Sequence, residues 1–125
     1  MKNENSKFKI DIRQRSYLYA LKIIKLIESL PLNQTSKIIG NQLLRSATSI
    51  GANIIEAQAS GTKKDFANFL NYSLKSANES KFWLGLLRDS DQVSKDKIEP
   101  ILKETNEISN ILGSSILTIR GKRKF

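Results

Sequence analysis

The chain has no cysteine and no histidine. Without cysteine there is no disulfide framework, no thiol nucleophile and no thiolate metal site. Without histidine the commonest general base and the commonest transition-metal ligand are both missing. Only two prolines and six glycines interrupt 125 residues, so long unbroken elements are possible. No apolar run approaches the roughly 20 residues of a membrane span. The polar opening Met1-Lys2-Asn3-Glu4-Asn5-Ser6 leads into no signal-peptide core. These absences predict a cytosolic protein with no membrane partner, no cofactor and no metal site.

Acid is also in short supply. The chain carries 21 Lys and Arg against 12 Asp and Glu, a net charge of +9. Residues 1–88 hold 14 of the basic residues against 6 acidic ones, residues 89–119 hold 3 against 6, and the last six residues add Arg120, Lys122, Arg123 and Lys124. A solubilising surface explains such a balance, and so does a polyanionic partner, most often RNA or DNA. The remaining composition, 39% hydrophobic and 26% charged, is that of a single globular domain.

What is present is helical spacing. Residues 1–11 read as a flexible basic arm and 12–120 as the folded domain, with 121–125 a basic tail. From residue 12 to 30, Tyr17, Leu21 and Ile24 form one apolar row, with Ala20 and Ile27 beside it. Tyr19, Ile23, Leu26 and Leu30 form a second. Two rows make a face wider than one neighbour needs, so the helix packs between two others or meets a second subunit. Pro31 ends it. Asn33, Thr35 or Ser36 can cap a second helix, in which Ile39, Leu43, Ala47, Ile50, Ile54 and Ala57 recur at spacings of four and three, with Gly61 the expected stop. Gly51 at its middle costs about 1 kcal/mol against alanine, which close approach of a neighbouring backbone would offset. Thr62-Lys63-Lys64-Asp65 has the form of a capping box. The third helix, to about Arg88, buries Phe66, Leu70, Ser73, Ala77, Leu84 and Leu87. Its second row is Phe69, Tyr72, Ser76, Glu79 and Trp83. Ser94 or Asp96 can cap the fourth helix, Asp96 with Glu99 being the better capping pair, with Pro100 in or just past the first turn and Gly121 at the end. Four helices with short connections predict an all-α, antiparallel up-and-down four-helix bundle.

Three groups of residues are candidates for function. Arg45, Asn53 and Glu56 share one side of the second helix at helical spacing, and Glu79 stands in the otherwise aromatic or small row of the third. Two carboxylates could serve as an acid–base pair or as metal ligands, but di-metal bundle sites also use histidine, which the chain lacks. A buried ion pair that sets helix register, with Arg45, Asn53, Glu56 and Glu79 as a structural polar network, is the reading adopted. Phe82 and Trp83 are adjacent and cannot share a face, so one of them points away from the core. Finally, Lys7, Lys9, Arg13 and Arg15 at the start of the first helix and Arg120, Lys122, Arg123 and Lys124 at the end of the fourth come to the same end of such a bundle. They are the candidate nucleic-acid-binding residues, suited to phosphate contact without base readout. The chain has no phosphate loop, zincin, nucleophile-elbow or zinc-finger spacing, so no enzymatic activity is expected.

Arg45, Ser49-Ile50, Asn53-Ile54 and Glu56, then Lys63-Lys64-Asp65-Phe66 and Glu79, together resemble the signature of the four helix bundle protein family, also called the 23S rRNA-intervening-sequence protein or S23 family. Ala57 stands where that family usually has glycine, and Gly61-Thr62 where serine is frequent. The resemblance implies four-helix bundles assembled into a ring-like homopentamer, with roles that are poorly defined. Lys81-Phe82-Trp83-Leu84 and Ile111-Leu112-Gly113-Ser114 are similar to a related branch, the accessory variability determinant of diversity-generating retroelements. That similarity implies a basic pentamer that binds a reverse transcriptase and nucleic acid. The expected function is therefore a non-enzymatic, oligomeric bundle that binds RNA or DNA non-specifically. The alternative is a protein-interaction scaffold, such as a partner of a retroelement reverse transcriptase.

Overall fold

The structure, a computed structural model, describes residues 4–121, with side chains from 12 onward. Four helices follow one another: α1, Glu4–Glu28; α2, Gln34–Ala59; α3, Lys63–Asp89; and α4, Lys95–Ile119. α1 meets α2 and α4, α3 meets α2 and α4, and among the described residues neither diagonal pair brings its backbones together. The bundle is therefore square and up-and-down, as its short connections require. α1 begins at Glu4, eight residues before the expected start, so the stretch read as an arm enters the helix there.

Local chemistry fixes the boundaries. Asn33 caps α2 by accepting from the Ser36 amide at 2.8 Å, and Thr62 caps α3 by accepting from the Asp65 amide at 3.1 Å. Gly121 takes φ +69°, a left-handed conformation that glycine adopts without a Cβ penalty, and closes α4. At the start of α4 the first of the two candidate caps is used, not the pair of Asp96 with Glu99. Its cap is Ser94, with no side-chain hydrogen bond, and Asp96 is already inside the helix. Pro100 consequently falls in the second turn, where its missing N–H removes one i→i−4 bond, to the Asp96 carbonyl.

The core contains the predicted rows. Tyr19, Ile23, Leu26 and Leu30 from α1 meet Leu43, Ala47, Ile50, Ile54 and Ala57 from α2, with Leu70, Ala77, Leu84 and Leu87 from α3 and Ile98, Ile108 and Leu112 from α4. The α2–α3 contact is the most extensive in the bundle and α1–α4 the least. Small residues explain the first. Ser46 and Ser80 are fully buried and hydrogen-bonded across the seam at 2.8 Å. Ser73 donates to the Ile50 carbonyl at 2.8 Å. Side chains this short let the backbones approach while every hydroxyl stays paired. Gly51 meets α1 instead: a Cβ built there would stand 3.1 Å from Ser16 Oγ. At the α1–α4 seam Tyr19 donates to Thr105 Oγ1 at 2.7 Å, and Thr105 donates on to the Ile101 carbonyl. Burial, opposed only in part by the Thr105 and Ser80 hydroxyls, pushes the Tyr19 phenol up to about 12.

Candidate nucleic-acid interface

The end of the bundle that gathers the start of α1, the end of α2, the start of α3 and the end of α4 carries the basic residues. Between α3 and α4 lies a cleft of about 400 Å³ lined by Lys63, Lys64, Ala67, Asn68, Ile119 and Arg120. Among the described residues, no carboxylate lines it. The capping of α3 by Thr62 places Lys63 and Lys64 in that helix's first turn, opposite the terminus of α4. A sequence reading that took Thr62-Lys63-Lys64-Asp65 only as a cap missed these two lysines, although the same cap fixes them at this end. Lys122, Arg123 and Lys124 lie outside the described residues. So do the side chains of Lys7 and Lys9, whose backbone belongs to α1. Arg13 is exposed.

Arg15 is not part of a free basic patch. Its Nη2 donates to Glu104 Oε1 and to Glu107 Oε1, both at 2.8 Å, and its Nε to Glu104 Oε2 at 3.1 Å. Two carboxylates occupy the guanidinium, so Arg15 ties α1 to α4 across their sparse seam rather than waiting for a phosphate. At the opposite end, Asp89, Asp91, Asp96 and Glu99 cluster around the α3–α4 turn with Arg88, Lys95 and Lys97 among them. The protomer is thus basic at one end and mixed-to-acidic at the other. A larger cavity of about 560 Å³ also opens near the basic end, among Ile12, Ile54, Phe66, Leu70 and Leu112. Its apolar wall suits no phosphate, so the cationic cleft is the better polyanion site.

The polar network expected inside the bundle is on its surface. Arg45 and Glu79 do form an ion pair between α2 and α3, but their side chains keep 56% and 37% of their exposure. Gln42 Oε1 accepts from Arg45 at 3.0 and 3.2 Å, and Trp83 Nε1 donates to Glu79 Oε2 at 3.0 Å. Asn53 turns back to the Ser49 carbonyl at 2.9 Å, and Glu56 is exposed. The reason for the correction is angular. Ser46 is the residue that enters the α2–α3 seam, and Arg45, about 100° away around the helix, reaches only its rim. Of the adjacent aromatics, Phe82 points outward at 58% exposed and Trp83 is half-buried, their rings edge-to-face at 5.0 Å. Among the described residues, no three acidic side chains come together to hold a metal ion, and no helix is long and apolar enough to cross a membrane.

The family model described as 23S rRNA-intervening sequence protein matches residues 9–114. The chain belongs to that family. Its fold is similar to the crystal structure of a protein of unknown function from the S23 ribosomal protein family of Bacteroides thetaiotaomicron, with a TM-score of 0.82 and 37% sequence identity. That alignment covers 87% of this chain and 97% of the other. No protein of curated function matches. Of the residues that carry the resemblance noted above, Arg45, Ser49, Asn53 and Glu79 lie along the rim of the α2–α3 seam, Ile50 and Ile54 are in the core, and Lys63 and Lys64 line the cationic cleft.

Proposed function

We propose that this member of the 23S rRNA-intervening sequence family is a non-enzymatic, cytoplasmic homo-oligomer that binds RNA or DNA without sequence specificity through the basic end of each protomer. The observation that carries the reading is the cleft among Lys63, Lys64 and Arg120, with no acidic side chain among the described residues of its lining and with Lys122, Arg123 and Lys124 following Gly121 in the chain. Flexible cations around an open cleft suit phosphate oxygens and offer no fixed pattern for base edges. The ring-like homopentamer implied by the family resemblance belongs to the same reading. It would multiply the contacts made to one strand.

The test is the salt dependence of oligonucleotide binding. Each phosphate neutralised on duplex DNA contributes a slope of about −0.9 in log affinity against log salt. Three contacts at the cleft give a fall of about 40-fold between 50 and 200 mM salt, per protomer engaged. Changing Lys63, Lys64 and Arg120 to glutamine removes that share of the slope. Binding undetectable at low salt sinks the reading. Unchanged binding by the triple variant moves the site elsewhere. The alternative, a protein-interaction scaffold such as a reverse-transcriptase partner, is favoured by the exposed aromatics Tyr72 and Phe82. Partner binding through those side chains would vary little with salt.

A further inference from the structure

The outward face of α1 is apolar where a lone bundle needs it polar. Tyr17, Leu18, Leu21 and Ile24 are 67%, 48%, 42% and 37% exposed. The outward face of α3 also exposes large side chains, Tyr72, Phe82 and Leu86, at 50%, 58% and 38%, with Lys75 and Glu79 between the first two. With large side chains of about 200 Å² apiece, the α1 strip leaves roughly 390 Å² and the α3 strip roughly 290 Å² of apolar surface in water, about the size of a functional patch. A standard interface covers about 800 Å² on each partner, some 60% of it apolar, so either strip supplies most of the apolar part of one.

The two strips cannot meet within one chain. α1 and α3 are diagonal in the square and meet only through core side chains such as Tyr19 and Ser80, so their outer faces point in opposite directions. They do lie at the same height. Ser16 packs on Gly51 while Ser73 bonds to Ile50, which puts Tyr17 level with Tyr72. Ser80, bonded to Ser46 five residues back along α2, stands about level with Leu21. α1 and α3 also run in the same direction. A second copy placed alongside, with its axis parallel, therefore sets the α1 strip against the stretch of α3 from Tyr72 to Phe82.

We infer that the α1 strip of one protomer docks on the α3 strip of the next, a head-to-tail contact between copies of this chain. The inference rests on the homo-oligomeric part of the proposed function and adds which faces make the contact. Because the two patches differ, the contact is heterologous and propagates from copy to copy until it closes into a ring. Parallel axes then bring every cationic cleft to one rim of the assembly.

Complementation between two variants tests it. Leu21→Glu spoils only the α1 strip and Phe82→Glu only the α3 strip. Both positions are exposed, and helical content by circular dichroism confirms folding. Mass in solution by light scattering is expected to show an oligomer for the wild type and monomers for each variant. An equimolar mixture is expected to form a species of two chains, since one intact strip of each kind remains. Ile24→Glu and Leu86→Glu repeat the experiment from second positions. A wild-type monomer refutes the oligomeric reading itself. An oligomeric wild type with Leu21→Glu still dimeric shows α3 packing on itself and refutes the face assignment alone, as does a mixture that stays monomeric.

Discussion

Replacing Gly51 with alanine separates two effects that usually travel together. Alanine in mid-helix is favoured over glycine by about 1 kcal/mol. At this position the new Cβ would meet Ser16 Oγ at 3.1 Å and Ser16 Cβ at 3.5 Å. The second distance is an ordinary contact and the first is not. Ser16 is buried and donates to the Arg13 carbonyl at 2.9 Å, so its hydroxyl cannot swing away without losing that bond. Losing a buried hydrogen bond or displacing α1 costs about 1–3 kcal/mol. Gly51→Ala alone is therefore expected to destabilise by about 1 kcal/mol. In a Ser16→Ala background the obstructing oxygen is gone, and the same substitution should stabilise by about 1 kcal/mol, a coupling of roughly 2 kcal/mol between the two sites. In a thermal melt each single step is roughly 3–5 °C for a chain of this size. Protein concentration must be held constant, because association shifts the midpoint. Equal stabilisation in both backgrounds would refute the close approach of α1 to α2 at Gly51.

Tyr19 gives the bundle an alkaline limit. Its phenol ionises near 12 in the folded chain against about 10 in the unfolded one, so the folded state holds the proton more tightly between those values. The unfolded state then binds fewer protons, and stability falls as pH rises through that window, by roughly 2–3 kcal/mol in all. Difference absorbance at 295 nm between the wild type and Tyr19→Phe should isolate a phenol titrating near pH 12, and titration near 10 would contradict its burial. Arg45→Ala, made in the Leu21→Glu background so that no neighbouring copy covers it, should change stability by less than about 1 kcal/mol because the pair with Glu79 is solvent-exposed. A loss above about 3 kcal/mol in a urea titration would restore the buried network.

Periodicity carried most of the fold. The rows from Ile39 to Ala57 and from Phe66 to Leu87 lie in or against the core because 3.6-residue spacing determines which side of a helix a residue is on. A mid-helix glycine pointed to close packing because its unfavourable propensity needs a reason, and Ser16 supplies it. Periodicity does not report depth, however. Arg45 and Ser46 are neighbours in the chain, yet one reaches the rim of the α2–α3 seam and the other its centre, and only the neighbouring backbone decides which. Charge counting fails for a similar reason. Arg15 counts as one more cation near the N-terminus until α4 brings Glu104 and Glu107 alongside it, 89 and 92 residues away. The width of the α1 apolar face was legible too, and of its two rows it is Tyr19 to Leu30 that the core absorbs, leaving Tyr17, Leu21 and Ile24 outside.

The polar residues of α2 that carry the family resemblance have a physical consequence beyond register. Ser49 donates to the Arg45 carbonyl at 2.7 Å and Asn53 to the Ser49 carbonyl at 2.9 Å, so two polar side chains fold back on their own helix. Arg45 is drawn across to Glu79 and anchored by Gln42, and Glu79 is held in turn by Trp83. None of these groups is free to reach over the outer face of α3. The rim of α2 is thereby kept low beside Phe82 and Tyr72, and an exposed apolar strip that long side chains could have shielded stays open. Self-satisfied polar groups around exposed aromatics are the arrangement of an interface whose rim needs little desolvation on binding. Replacing Ser49 with lysine, which has a long charged side chain and no reason to fold back, should then leave the monomer's stability within about 0.5 kcal/mol, as for an ordinary surface change. It should nevertheless weaken self-association measured by light scattering. Unchanged association would mean that the rim of α2 has no part in keeping the α3 face accessible.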